Sequence, residues 1–236
     1  MTFENRAEAG RELAWSLRKY LHRQDVIVLG APRGGVPVAF EVALALGLPL
    51  DILVLRKLGV PGHEELAFGA IAGNDVRVLD PDIIEAALTD LDIERVTAAE
   101  RRELDRRERL YRSGKPALRV QGQTVILIDD GMATGSIIRA AVRALRRMKP
   151  AAIVLAVPVA PRSTCDSLRR EVDDLICLEM PEPFYGVGQF YVDFSQVSDR
   201  EVIELLDLAW NRGSQPARSD ANPSREQVHE AHRHRN

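Results

Sequence analysis

Apolar positions along the chain switch repeatedly between a helical period and short continuous runs, and the switching lays out an architecture. Residues 4–21 carry Ala7, Leu13, Leu17 and Leu21 near helical spacing, with Arg11, Glu12, Arg18 and Lys19 between them, which predicts an amphipathic helix. Val26–Leu29 is an apolar run ending in Gly30, as expected of a buried strand. A Pro32–Gly35 turn, an Ala- and Leu-rich helix over Val38–Leu46 stopped by Gly47, and a strand over Leu50–Leu55 complete a βαβ unit.

Arg56–Asn74 reads as irregular, because Gly59, Pro61, Gly62, Gly69 and Gly73 punctuate it, and Val76–Leu79 reads as a short strand. From Asp82 to Arg112 the chain is helical in character and dense in charge, with acids and arginines alternating over 100–109. That pattern fits a solvated helix laced with i,i+4 ion pairs, and a lid over a site is the alternative. A second series follows: strand Thr124–Asp129, turn Gly131–Ser136, helix Ile137–Met148, strand Ile153–Val157, helix Ser163–Glu171 and strand Asp174–Leu178. Such alternation predicts an α/β fold, an open, mostly parallel sheet with helices on both faces. Residues 180–195 are rich in Pro, Gly and aromatics, Asp199–Trp210 reads as a last helix, and 213–236 reads as a disordered tail. The tail's His229, His232 and His234 read as solvated rather than as metal ligands. The organisation expected is one domain over 1–212, with a core at about 24–180, a charged helical insertion at 82–112 and a hood at about 180–195.

Bulk composition adds only exclusions. A net charge of −3 gives no electrostatic reason to expect nucleic acid or a membrane surface. Two cysteines, Cys165 and Cys177, make neither a disulfide framework nor a metal cluster, which fits a reducing cytoplasm. The first residues lack a signal-peptide pattern, and no apolar run reaches membrane-spanning length.

The chemistry concentrates in Val125-Ile126-Leu127-Ile128-Asp129-Asp130-Gly131-Met132-Ala133-Thr134-Gly135-Ser136. A buried strand delivers Asp129 and Asp130 to the carboxyl edge of the sheet, where open α/β sheets bind ligands. Adjacent carboxylates there suit sugar hydroxyls, a divalent cation, or both. The small-residue loop then opens a helix, whose N-terminal amides suit a phosphate. Acids for hydroxyls beside amides for phosphate describe a ribose 5-phosphate. A Walker A loop would need a lysine before Ser136, and a Rossmann fingerprint matches neither glycine cluster. Helix capping alone would not ask for two acids directly after a buried strand.

Residues 125–136 resemble the phosphoribosyl pyrophosphate (PRPP) motif of type I phosphoribosyltransferases, and a looser resemblance extends over about residues 24–195, most of all to a bacterial group of predicted phosphoribosyltransferases. The resemblance implies that Asp129 and Asp130 bind the ribose hydroxyls and that Gly131, Met132, Ala133, Thr134, Gly135 and Ser136 bind the 5-phosphate. It implies that the Pro32–Gly35 loop holds the pyrophosphate, often through an unusual cis peptide, with Arg33 supplying charge and Gly34 and Gly35 supplying amides. Lys57 would be a second basic contact, followed by a mobile lid over 58–74 containing His63, Glu64 and Glu65. Phe184, Tyr185, Phe190 and Tyr191 would form a C-terminal hood for a base, although a small satellite core explains the same residues equally well. Lys57, Arg33 and Asp130 are the expected catalytic residues and Mg²⁺ the expected cofactor. It would arrive with PRPP and could also meet Asp129 and Asp130.

Three departures from the family pattern matter, the first being that the charged region 82–112 is longer than the usual connection. Gly131 stands where many members have a branched apolar residue, which predicts a more mobile loop. Ala133 stands where 6-oxopurine enzymes have an acid, which shifts the expectation towards adenine-, uracil- or orotate-type acceptors. The activity implied is transfer of ribose 5-phosphate from PRPP to a heterocycle nitrogen, in nucleotide salvage and in the cytoplasm, without nucleic-acid or membrane partners. A homodimer is the commonest assembly for such a chain. A PRPP-sensing regulator is the alternative, and a PRPP synthetase-like kinase is disfavoured by the lack of a duplicated domain or ATP motif.

Overall fold

The computed structural model describes residues 2–213 apart from 74 and 113. Five parallel strands form the main sheet: β1 (Val26–Gly30), β2 (Leu50–Ile52), β6 (Thr124–Ile128), β7 (Ala152–Val159) and β8 (Asp174–Glu179). Their order across the sheet is β2-β1-β6-β7-β8. β1 and β6 are buried at every position, the signature of parallel strands covered on both faces.

Alternate residues of these strands enter two cores. Val26, Val28, Ile126 and Ile128 pack beneath α1 (Arg6–Ser16), α2 (Gly35–Leu46) and α7 (Asp199–Gly213). Ile27, Leu29, Val125 and Leu127 pack beneath α5 (Ser136–Arg147) and α6 (Arg162–Leu168) on the other face. The open α/β sheet with helices on both faces is therefore the fold.

Two expectations are corrected. Leu50–Leu55 is not one strand. β2 ends at Ile52, and the chain leaves the sheet to start β3 (Leu55–Val60). Arg56–Asn74 is not irregular, because β3 pairs with β4 (His63–Ala72) as an antiparallel hairpin, extended by β5 (Arg77–Leu79). Pro61 and Gly62 make the turn, whereas Gly59 and Gly69 lie within strands where the neighbouring backbone comes close. A Cβ on Gly59 would stand 2.9 Å from the Glu64 carbonyl oxygen. Over 58–72 the segment expected to be a lid is thus a bulged, paired hairpin.

The charged stretch 82–112 divides into α3 (Pro81–Ala87) and α4 (Asp90–Arg112). Thr89 begins the second helix by reciprocal capping: its Oγ1 accepts from the Asp92 amide, and its own amide and hydroxyl donate to the Asp92 carboxylate. Although α4 carries exposed pairs such as Arg106–Glu103, it buries Ile93, Leu104 and Tyr111 against the hairpin and α7. At its end Arg112 is buried and donates to Asp51 on β2 and to the Pro116 carbonyl. The expected tail lies outside the described residues beyond 213, with its three histidines. No helix among the described residues is long and apolar enough to cross a membrane.

Candidate active site

The carboxyl ends of β1 and β6 release their loops side by side, because the two strands pair in register from Val26–Thr124 to Gly30–Ile128. The loop after β1 runs directly against the two acids after β6. A Cβ on Gly34 would fall inside the Asp130 carboxylate, and one on Gly35 would stand 2.6 Å from the Ile128 carbonyl oxygen and 2.8 Å from the Asp129 α-carbon. Only glycine permits so close an approach. The Pro32–Arg33 peptide bond is cis. The Gly35 amide is not open to a ligand, since it donates to the Ala31 carbonyl. Arg33 is about one-third exposed, with its guanidinium 3.9 Å from the Asp199 carboxylate at the start of α7. That carboxylate also accepts from the Tyr111 hydroxyl at 2.6 Å, and burial, with this hydrogen bond second, pushes the phenol up to about 12.

Asp129 and Asp130 differ in their surroundings. Asp129 accepts the Asp130 amide at 2.9 Å. Burial, followed by the adjacent Asp130 charge, holds its carboxyl well above the usual range. Asp130 is raised too, by burial, but the Arg6 guanidinium opposes the rise through a 2.8 Å hydrogen bond from Nε to Oδ2. Half-buried carboxylates crowded in this way, at the mouth of a sheet, suit a ligand that brings hydroxyls or positive charge.

The loop from Gly131 to Ser136 shows which of its groups can meet a ligand. Ala133, Thr134 and Ser136 are exposed. Met132 is buried, and its amide donates to the Val159 carbonyl, so it is a packing residue of the loop. The Ala133 carbonyl accepts from the Thr164 hydroxyl at 2.7 Å, which ties the loop to α6. At Gly131 a Cβ would stand 2.5 Å from Val187 and 3.0 Å from Val159, so the missing side chain lets Val187 pack against the loop.

The aromatic hood divides between the two readings. Tyr191 is not open to a base: it is buried, packs against Phe3 and Phe194, and donates its hydroxyl to the Asp130 carbonyl at 2.6 Å. Burial and the nearby Asp130 charge push its phenol well up. Phe184 and Phe190 stack at 5.6 Å on the edge of this satellite core, while Tyr185 is 85% exposed. Replacing Tyr191 by Phe should cost about 1–2 kcal/mol of unfolding free energy in urea titrations, because a buried carbonyl loses its donor.

Lys57 lies in β3 opposite Ala70, and His63 is exposed at the start of β4. Lys57 and Arg56 line a cleft of about 590 Å³ that reaches Pro32 and Ile137 and is walled by Arg95 and Arg107 of α4. The Arg56 guanidinium is paired across it with Glu100 at 2.6 Å. The charged helix thus borders the loop after β1 and the first turn of α5, a neighbourhood that the alternative reading of it as a lid had raised.

Sequence reasoning read the N-terminal segment as a helix but gave neither it nor Arg6 a place at the site. The Phe3 amide donates to the Phe190 carbonyl and its carbonyl accepts from the Val192 amide, so Phe3 is tied to segment 190–192. Arg6 follows as the first residue of α1, capped by Asn5.

A phosphoribosyl transferase domain model matches residues 2–195, which covers every loop just described. The chain belongs to the phosphoribosyl transferase domain family. Two Mycobacterium tuberculosis proteins, "Putative phosphoribosyl transferase MT0597" of strain CDC 1551 / Oshkosh and "Putative phosphoribosyl transferase Rv0571c" of strain H37Rv, are each 45% identical over 210 residues. The matched region is 88% of this chain and 47% of each relative, so the chain spans about half the length of the curated relatives it matches. Among solved structures, TT1426 of Thermus thermophilus is 37% identical with a TM-score of 0.80, over 87% of this chain and 98% of that one. The phosphoribosyl transferase match begins at residue 2 and so includes the N-terminal segment and Arg6, which the resemblance read from residue 24 onward had left out.

Proposed function

We propose that this phosphoribosyl transferase domain moves ribose 5-phosphate from PRPP to a nitrogen of a nucleobase or related heterocycle, with release of pyrophosphate. The observation that carries the reading is the direct contact of the Gly34–Gly35 backbone with the Asp129–Asp130 carboxylates. It sets a loop suited to pyrophosphate beside acids suited to ribose hydroxyls, with the exposed Ala133, Thr134 and Ser136 following in the same loop for the 5-phosphate. Within this reading Asp129 and Asp130 orient the sugar through its hydroxyls, and Arg33 and Lys57 draw charge from the departing pyrophosphate. The protein supplies position and charge, so no covalent nucleophile is required.

No group of three or more His, Cys, Asp or Glu side chains among the described residues is placed to hold a metal by itself. The residues present do fit Mg²⁺ delivered with the substrate. Two half-buried, mutually repelling carboxylates are hard oxygen donors that a divalent cation or sugar hydroxyls would relieve. Asp129 and Asp130 would hold it together with substrate oxygens, and bound there it would neutralise charge on the pyrophosphate. The acceptor would meet Phe184, Phe190 and Tyr185 at the hood, and Ala133 favours bases that need no carboxylate partner at that point.

The test is pyrophosphate release from Mg·PRPP against a panel of purine, pyrimidine and other nitrogen heterocycles. Release that depends on one acceptor is the expected result, and it names the substrate. PRPP binding without release across the panel would instead mark a regulatory binder.

A further inference from the structure

We infer that Arg6, at the start of the N-terminal helix, is a positioning residue for the sugar: it fixes the Asp130 carboxylate so that one oxygen faces the ribose. The inference rests on the PRPP reading of the site and assigns it a part that lies 124 positions away in sequence.

Nearly every polar group of Asp130 is already held by the protein. Its amide donates to Asp129, its carbonyl accepts from the Tyr191 hydroxyl, and its Oδ2 accepts from Arg6 Nε at 2.8 Å. With Oδ2 taken by Arg6, the inference assigns the other carboxylate oxygen, Oδ1, to a sugar hydroxyl. Arg6 is itself fixed from the other side. Its NH1 donates to the Ser195 carbonyl at 2.8 Å, and its guanidinium carbon sits 4.0 Å from the centre of the Phe194 ring. The two partners are 11% and 14% exposed, so solvent screens the pair little.

This placement is not what α1 needs for its own stability. A cation in the first turn of a helix opposes the helix dipole, and the favourable acid there is Glu8, which bonds back to the Glu4 amide. The geometry therefore places Arg6 in the service of Asp130. Other charges face the pair without replacing Arg6: Asp129 lies beside Asp130, and Asp193 lies within reach of the Arg6 charge.

Calorimetric titration of the full chain and of its Arg6→Ala and Arg6→Lys variants tests this, with Mg·PRPP and with Mg·pyrophosphate as separate probes. Arg6→Ala should bind PRPP about tenfold or more weakly, as befits loss of a charge-assisted contact that orients a ligand group. It should bind pyrophosphate within about twofold of wild type, because that probe has no sugar to orient. Arg6→Lys should recover part of the loss, since charge returns without the planar fork. Unchanged PRPP affinity in Arg6→Ala, or equal weakening of both probes, would overturn the inference and leave the PRPP reading standing. Wild-type protein that fails to bind PRPP would sink that reading and this inference with it.

Discussion

An Asp130→Asn variant should lose about a hundredfold in affinity for Mg·PRPP, and at least as much in pyrophosphate release, while remaining folded. Asn keeps the shape of Asp and offers one oxygen to the Arg6 Nε donor, so the contacts with Gly34 and Tyr191 survive. What disappears is the negative charge that turns a sugar hydroxyl into a charge-assisted partner and that would draw a divalent cation. Stability should change little or rise, because the wild-type carboxylate is charged in a buried place that raises its pKa. Affinity and urea unfolding measured on one preparation separate the effects. PRPP affinity within about threefold of wild type would remove Asp130 from the proposed cradle.

Loss of Arg112 should have the largest effect on the fold. Its guanidinium is 3.0 Å from Asp51 Oδ1 and also donates to the Pro116 carbonyl, in a setting where the two side chains are 7% and 16% exposed. Met at this position would fill the space but strand a buried carboxylate, at a cost of about 3–5 kcal/mol near neutral pH. The Asp51 carboxyl is already raised by burial, with Arg112 opposing the rise, so removing Arg112 raises it further. The folded pKa then lies above the unfolded value, and the folded state binds the proton more tightly. Stability of the variant must therefore fall as pH rises through that window and recover as pH drops towards about 4. Urea midpoints at pH 5 and pH 8 check the sign, and a deficit that grew on acidification would contradict the assignment.

Local signals made most of the fold and the acid pair legible. The string from Val125 to Ser136 encodes strand, acids, loop and helix start within twelve neighbouring residues, so adjacency in sequence is adjacency at the site. The parallel strands could be read because each is a buried run between turn signals. The hairpin could not, since Gly59 and Gly69 look like breakers unless one knows that the backbones of Glu64 and Val78 press against them. Tyr191 carried the composition of a base-stacking residue, and only the distance to the Asp130 carbonyl shows what its hydroxyl does. Arg6 offered one faint hint, a cation at a helix start, where the dipole disfavours it.

The hydrogen bonds between Phe3 and residues 190–192 have a bearing on how the chain is made. Synthesis runs from the amino end, and the parallel strands β1 and β6 can pair once about half the chain has emerged from the ribosome. Asp130 is then already in place at the strand edge, but Tyr191, Phe194 and the Ser195 carbonyl that anchors Arg6 do not yet exist. The surroundings of Asp130 are therefore completed only when residues 191–195 have been translated, and a nascent chain that stalls short of residue 195 has the acids and Arg6 without the carbonyl that anchors Arg6.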